Sequence, residues 1–235
     1  MKRTISTTIF SATCLLAAVG AHAAPPVTVV KADATVESKL DMSKKSTANN
    51  KISSLVAIDY PDFTKLPEHV REKFDKMPTK VNFFRMLGYS PGAFVPVIDL
   101  TNAIFKDLTI SDYHKELLVL MVGAHEQAAY EWEQHVSIAQ AAGVRPDQFI
   151  AIAEGTLNDT KAFTDRERVL LRFGAAILAN GKAPGVLFKH AREHFSLQEL
   201  SDAILVVGYY RMISAHIQTF NIEIDAQQDG NWVKG

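Results

Sequence analysis

Groups able to move protons are concentrated between Glu116 and Val144, in the run ELLVLMVGAHEQAAYEWEQHVSIAQAAGV. Glu116 lies at the edge of an apolar helical segment, and a second segment carries Tyr130, Glu131, Trp132 and His135. Carboxylates and an imidazole in an apolar frame are what general acid/base catalysis requires. Glu131 and His135 are four residues apart, so a helix places them on one face. A carboxylate there raises the imidazole's pKa and orients the ring. The same spacing also describes a solvated surface pair of little energetic weight. Glu116 stands 19 residues ahead of His135, and one continuous helix would hold the two roughly 28 Å apart. They share a site only if the chain turns near Gly123 and His125, or if a neighbouring subunit supplies one of them. Otherwise Glu116 is a solvated acid in a first helical turn, favoured there by the helix dipole.

Other residue types invite weaker readings. Tyr130 and Trp132 flank the acid and can line a pocket, although a Trp at helical spacing also serves as core. Arg211, inside an apolar helix after two tyrosines, suits either a buried acid or a substrate carboxylate. His125 lies near the expected turn. His216, on an apolar helix, reads as a core or pocket-edge histidine. His190 and His194 have the i, i+4 spacing of metal ligands. Their segment is highly charged and offers no further ligand close in sequence, so it reads as a solvated helix with no metal expected.

The elements that must position these groups are helices. Pro67 opens a short one through Phe74, and Asn82 to Leu87 begins another before Gly88 and Pro91. Phe94 to Phe105 is apolar at helical spacing. Ser111 caps a helix expected to run to about Val122, with a break at Gly123. Glu126 to Ala142 is amphipathic and stops at Gly143, and Pro146 starts a helix ending at Gly155. Thr164 with Glu167 and Ser196 with Glu199 fit capping boxes; the first helix closes at Asn180-Gly181 and the second runs to about Ile217. Strand signals are scarce. The expected fold is an all-α bundle of about seven or eight helices.

The flanks bear on compartment and chemistry. Lys2 and Arg3, an apolar stretch from about Ile9 to Val19, and the small-x-small site Ala21-His22-Ala23 have the form of a cleavable secretory signal over residues 1–23. The apolar run is far shorter than the roughly 20 residues of a membrane-spanning helix. Residues before Cys14 do not fit a lipid-attachment site. Residues 24–55 read as a flexible leader, and 56–235 as one helical domain. A periplasmic or secreted protein is expected, with no membrane association after cleavage. Cys14 is the only cysteine, so the mature chain would hold no disulfide, thiolate nucleophile or thiolate metal site. A formal net charge of −1 gives no broad basic surface for nucleic acid.

The words Glu116-Leu117-Leu118-Val119, Tyr130-Glu131-Trp132, His135 and Ala142-Gly143-Val144 resemble the carboxymuconolactone decarboxylase family, which is related to the alkylhydroperoxidase-D-like proteins. Val207-Gly208-Tyr209-Tyr210-Arg211-Met212 resembles that family's closing helix, and the similarity covers roughly residues 81–224. The resemblance implies an all-helical fold and a homo-oligomer, trimeric or hexameric. Its thiol-using members carry C-x-x-C just before the histidine; here Ala128 and Glu131 hold those places. Thiol peroxidase chemistry needs a thiolate. The resemblance therefore implies the cofactor-free branch, with His135 as catalytic acid/base, Glu131 tuning it and Glu116 relaying a proton or holding the ring. Tyr130, Trp132 and Arg211 would contact substrate. The expected function is an exported, cofactor-independent lyase, of decarboxylase or isomerase type, acting on a small cyclic or aromatic carboxylic compound. The alternatives are a hydroperoxide-handling protein with a non-thiol mechanism and a non-catalytic helical oligomer that binds a small ligand.

Overall fold

Short-range capping chemistry starts several of the helices seen in the computed structural model, which describes residues 58–225. The regular elements among the described residues are helices, and these residues fall into two compact units, residues 59–106 with Asp225, and residues 107–224 with Ile58.

The first unit holds a 3-10 turn at Phe63–Lys65, then α1 (Glu68–Asp75), α2 (Asn82–Leu87) and α3 (Pro91–Lys106). Asp62 Oδ1 accepts the Thr64 N–H at 3.0 Å and so caps the 3-10 turn. The Phe63 and Phe74 rings stack at 3.8 Å, and both meet Phe94 edge-on. This aromatic cluster ties α1 and α3 together.

The second unit holds α4 (Asp112–His125), α5 (Ala129–Ala141), α6 (Pro146–Ala153), α7 (Asp165–Asn180), α8 (Gly185–His194) and α9 (Leu197–Thr219). Two reciprocal capping boxes form as the sequence predicts. Glu167 N–H donates to Thr164 Oγ1 and Thr164 N–H to Glu167 Oε2; Ser196 and Glu199 repeat the exchange. Gly181, at φ 71°, ends α7 in the left-handed conformation that glycine adopts without strain.

Helix α4 is the centre of this unit. Every residue from Lys115 to Gly123 is buried, the mark of a helix surrounded by protein rather than lying at a surface. It packs against α5, α6, α7 and α9. Gly174 of α7 lies at the contact between α7 and α4. A Cβ there would stand 2.8 Å from both Leu118 Cδ2 and Met121 Cε. The loop ahead of α4 is tied to α9 through Asp202, whose Oδ2 accepts the N–H groups of Thr109 at 2.6 Å and Ile110 at 3.1 Å.

The expected break at Gly123 is not there. Gly123 lies inside α4, which continues to His125. The chain reverses at Gln127, a non-glycine residue at φ 54°. Backbone bonds from Gln127 to Ala124 and from Ala128 to Gly123 close the turn. At Gly123 α5 comes back alongside α4, with Trp132 N 3.6 Å from where a Cβ would be, an ordinary contact distance. No helix among the described residues is long and apolar enough to cross a membrane. The expected signal over 1–23 and the leader over 24–55 lie outside the described residues.

Asp202 gives a stability test of this frame. Asp202→Ala leaves two backbone donors without their acceptor, one of them buried, and should lower unfolding free energy by about 1–3 kcal/mol in urea titration.

Candidate active site

The turn at Gln127 folds α5 back along α4 and closes the gap that a straight helix would leave between Glu116 and His135. His135 Nδ1 lies 2.8 Å from Glu116 Oε2, a buried hydrogen bond. On the other side of the ring, His135 Nε2 faces Glu131 Oε2 across 3.8 Å. That is beyond hydrogen-bonding distance and well within electrostatic reach. One imidazole therefore sits between two carboxyl groups, and all three residues are buried, Glu116 completely. Neither a solvated first-turn Glu116 nor a surface Glu131–His135 pair is compatible with this burial. Glu116 lies in the second turn of α4, and the first-turn acid is Asp112.

Burial sets the proton affinities of this array. It pushes the Glu131 carboxyl up; the facing His135 opposes this and the Glu116 charge adds to it, leaving a pKa of about 7. For His135, burial works against the charged ring. The Glu116 carboxylate, by charge and hydrogen bond, and then Glu131 outweigh it, so the imidazole is held above its ordinary value despite an opposing contribution from Lys115. Lys115 is itself buried and is held by Asp112 at 2.6 Å. A proton donor and a proton acceptor can thus coexist near neutral pH on either side of His135 Nε2.

Sequence reasoning missed one member of this group. The Tyr210 ring, from α9, stands edge-on to the His135 ring at 4.9 Å. Burial, and next the Glu116 charge, push its phenol well above the usual range, so it remains a neutral hydroxyl. Its only signal in the sequence was the Tyr209-Tyr210 pair on an apolar helix. Among the described residues, the Tyr210 hydroxyl and Glu116 Oε1 are buried without a hydrogen-bond partner, as are Trp132 Nε1 and Ser214 Oγ. Buried polar atoms of native proteins are nearly always satisfied, so two such atoms in the residues around His135 stand out.

The other candidates separate. Tyr130 is buried next to Glu131 in sequence. Trp132 is fully buried and meets Phe149 edge-on at 6.2 Å. Arg211 is half-exposed, donates to the Leu178 carbonyl near the end of α7 at 3.0 Å, and lies 3.4 Å from Glu126. Its guanidinium thus clamps a helix end to the residue that caps α4, rather than joining the Glu116–His135–Glu131 array. His125 is partly exposed beside Glu126. His216 stacks on Phe220 at 4.7 Å, with burial lowering its pKa.

No family model matches the sequence, and no curated protein matches it. Solved structures do match. An uncharacterized peroxidase-related protein from Ralstonia eutropha, described as an alkylhydroperoxidase AhpD core, superposes with a TM-score of 0.61 at 20% identity, over 72% of this chain and 92% of that one. A peroxidase-related protein from Silicibacter sp. gives 0.61 at 17% identity, over 75% and 95%. A debrominase solved in complex with 2,3,4-tribromopyrrole gives 0.58 at 16% identity, over 73% and 92%.

The chain has the alkylhydroperoxidase-D-like fold. At these identities the likeness speaks for the fold, in agreement with the resemblance read from the sequence. Within this alkylhydroperoxidase-D-like frame, Ala128 forms the N-terminal cap of α5 and Glu131 stands one turn before His135.

The shared protons should be visible in stability. A carboxyl whose pKa rises on folding binds its proton more tightly in the native state between its unfolded value, near 4.5, and about 7. The unfolded state then holds fewer protons than the native state and unfolding releases them, so stability falls as pH rises through that window and levels off above it. Glu131→Gln removes this dependence. The difference in unfolding free energy, variant minus wild type, should grow from pH 5 to pH 7 and change little from pH 7.5 to pH 8.5, measured by urea denaturation.

Proposed function

We propose that the protein is a cofactor-independent acid/base enzyme, a lyase of decarboxylase or isomerase type, acting on a small cyclic or aromatic carboxylic compound. The single observation that carries this reading is the buried Glu116–His135–Glu131 array, one imidazole bonded through Nδ1 and facing a raised carboxyl through Nε2. Glu116 orients the ring and sustains its positive charge, as an acid behind a catalytic histidine does in other folds. His135 Nε2 exchanges a proton with substrate carbon, and Glu131 exchanges a proton with His135 or with the substrate itself. In a decarboxylation, the bond from ring carbon to carboxylate breaks and carbon dioxide leaves. The electron pair passes into the conjugated system as an enolate, and His135 returns a proton to carbon. In an isomerisation, removal of a proton by one partner and delivery by the other moves a double bond with no net change in atoms. The Tyr210 hydroxyl is suited to donate a hydrogen bond to a developing enolate oxygen.

The fold supports this reading only coarsely, because folds host many chemistries. The debrominase neighbour, bound to a substituted pyrrole, is in keeping with a small planar ring as ligand. The peroxidase-related neighbours keep hydroperoxide handling as the second reading. The absence of cysteine beyond Cys14 weighs against its thiol form.

A screen of lactones and unsaturated or aromatic acids by thermal shift should find a ligand, which at 100 times its dissociation constant adds ~2.7 kcal/mol to stability. On a confirmed substrate, His135→Ala and the bulkier His135→Gln should each lower kcat by at least ~10². Glu116→Gln should reduce kcat with a smaller change in KM, and Glu131→Gln should mainly displace the pH optimum. Wild-type turnover in a His135 variant shown by circular dichroism to be folded would sink the assignment.

We also propose that the mature protein is exported and assembles as a trimer or a multiple of three. Export rests on the signal pattern of residues 1–23. Self-association is supported by the outward face of α9, where Ile204, Leu205 and Met212 are exposed around Gly208, an apolar stripe with a small residue at its middle. Native mass spectrometry of the periplasmic fraction should show a chain beginning at Ala24 in an assembly of three or six. A full-length cytoplasmic monomer would contradict both parts.

A further inference from the structure

A second cluster of chemistry-bearing residues lies apart from the array around His135 and shares no residue with it. His190 and His194 occupy the last two turns of α8, one helical turn apart, with ring centroids at 5.4 Å. The sequence around them offers no third ligand, but the fold does. Asp165, the first residue of α7, brings its Oδ2 to 3.4 Å from His194 Nε2. One ligand atom from each of Asp165, His190 and His194 lies within 4.8 Å of the other two.

We propose that Asp165, His190 and His194 form a binding site for a divalent first-row transition metal, with Zn²⁺ as the favoured ion. The donor set is two neutral imidazole nitrogens and one carboxylate oxygen, which suits zinc and leaves a fourth position for water. Tetrahedral coordination with bonds of ~2.0–2.1 Å sets ligand atoms about 3.4 Å apart. The Asp165–His194 pair already has that separation. Small rotamer adjustments of His190, on a partly exposed helix end, bring the third atom in. The carboxylate is pre-oriented, because its other oxygen, Oδ1, accepts from Arg168 Nη2 at 2.9 Å and leaves Oδ2 for the ion. The guanidinium of Arg168 also opposes a cation, so affinity is moderated by a positive neighbour. The ligands come from two helices, so a bound ion would cross-link the final turns of α8 to the first turn of α7.

The test uses the full mature chain, purified without a histidine tag, stripped with a chelator and exchanged into metal-free buffer. Titration with Zn²⁺ in a calorimeter should show one saturable site per chain. His190→Ala and His194→Ala should each weaken binding at least ~10-fold, and Asp165→Asn, which keeps the side-chain shape, should weaken it several-fold. Added Zn²⁺ should raise the Tm of wild type and, at the same concentration, raise that of His194→Ala less. Absence of a saturable site overturns the proposal. So does wild-type affinity in both histidine variants or in Asp165→Asn, since each variant is checked for native circular dichroism beforehand.

Discussion

The hydrogen bond between Glu116 and His135 is the constraint around which the second unit is organised. It places a carboxylate and an imidazole among residues that are almost all buried, between α4 and α5. Placing charges there is costly, and mutual attraction repays it only when geometry and further hydrogen bonds are good. Their separation of 2.8 Å requires α5 to return directly along α4 and the turn between them to be tight. The left-handed conformation of Gln127 is the local consequence. The ties from Asp202 and Arg211 lie at the two ends of α4.

The array also separates two functions that carboxyl groups perform. Glu116 is hydrogen-bonded to the ring, and Glu131 faces it without such a bond. Environment alone makes one an orienting partner and the other a group that titrates near neutrality. Two identical side chains acquire different roles from different surroundings, a pattern common to acid/base sites. Tyr210 adds a neutral hydroxyl to the same neighbourhood, held un-ionised by burial beside negative charge.

Much of this was legible in the chain where the determining interactions are short-range. The boxes at Thr164–Glu167 and Ser196–Glu199 and the stop at Gly181 were readable because each cap is settled within a few residues. Glu131 and His135 were readable as a pair for the same reason. The partnership of Glu116 with His135 was readable only as a condition on a turn. Glycine at 123 pointed to the wrong residue, since it lies inside α4 and the chain reverses at Gln127. Tyr210 comes from α9, far along the chain, and spacing carries no information at that distance. Asp165 meets His190 and His194 because α8 packs back on α7, which no local pattern encodes. Arg211 was ambiguous for a physical reason, since a guanidinium fits carbonyls at a helix end as well as it fits a carboxylate ligand.

Gly174 has a consequence for how this protein can change over time. A helix interior usually gains from replacing glycine with alanine, through lower backbone entropy in the unfolded chain. Here the added methyl would stand 2.8 Å from the ends of the Leu118 and Met121 side chains, so those ends must shift to admit it. Both side chains are buried in α4, the helix that also carries Glu116. Alanine at this position would trade a gain in helix propensity against repacking around α4, so the usual benefit of replacing a helical glycine is reduced there.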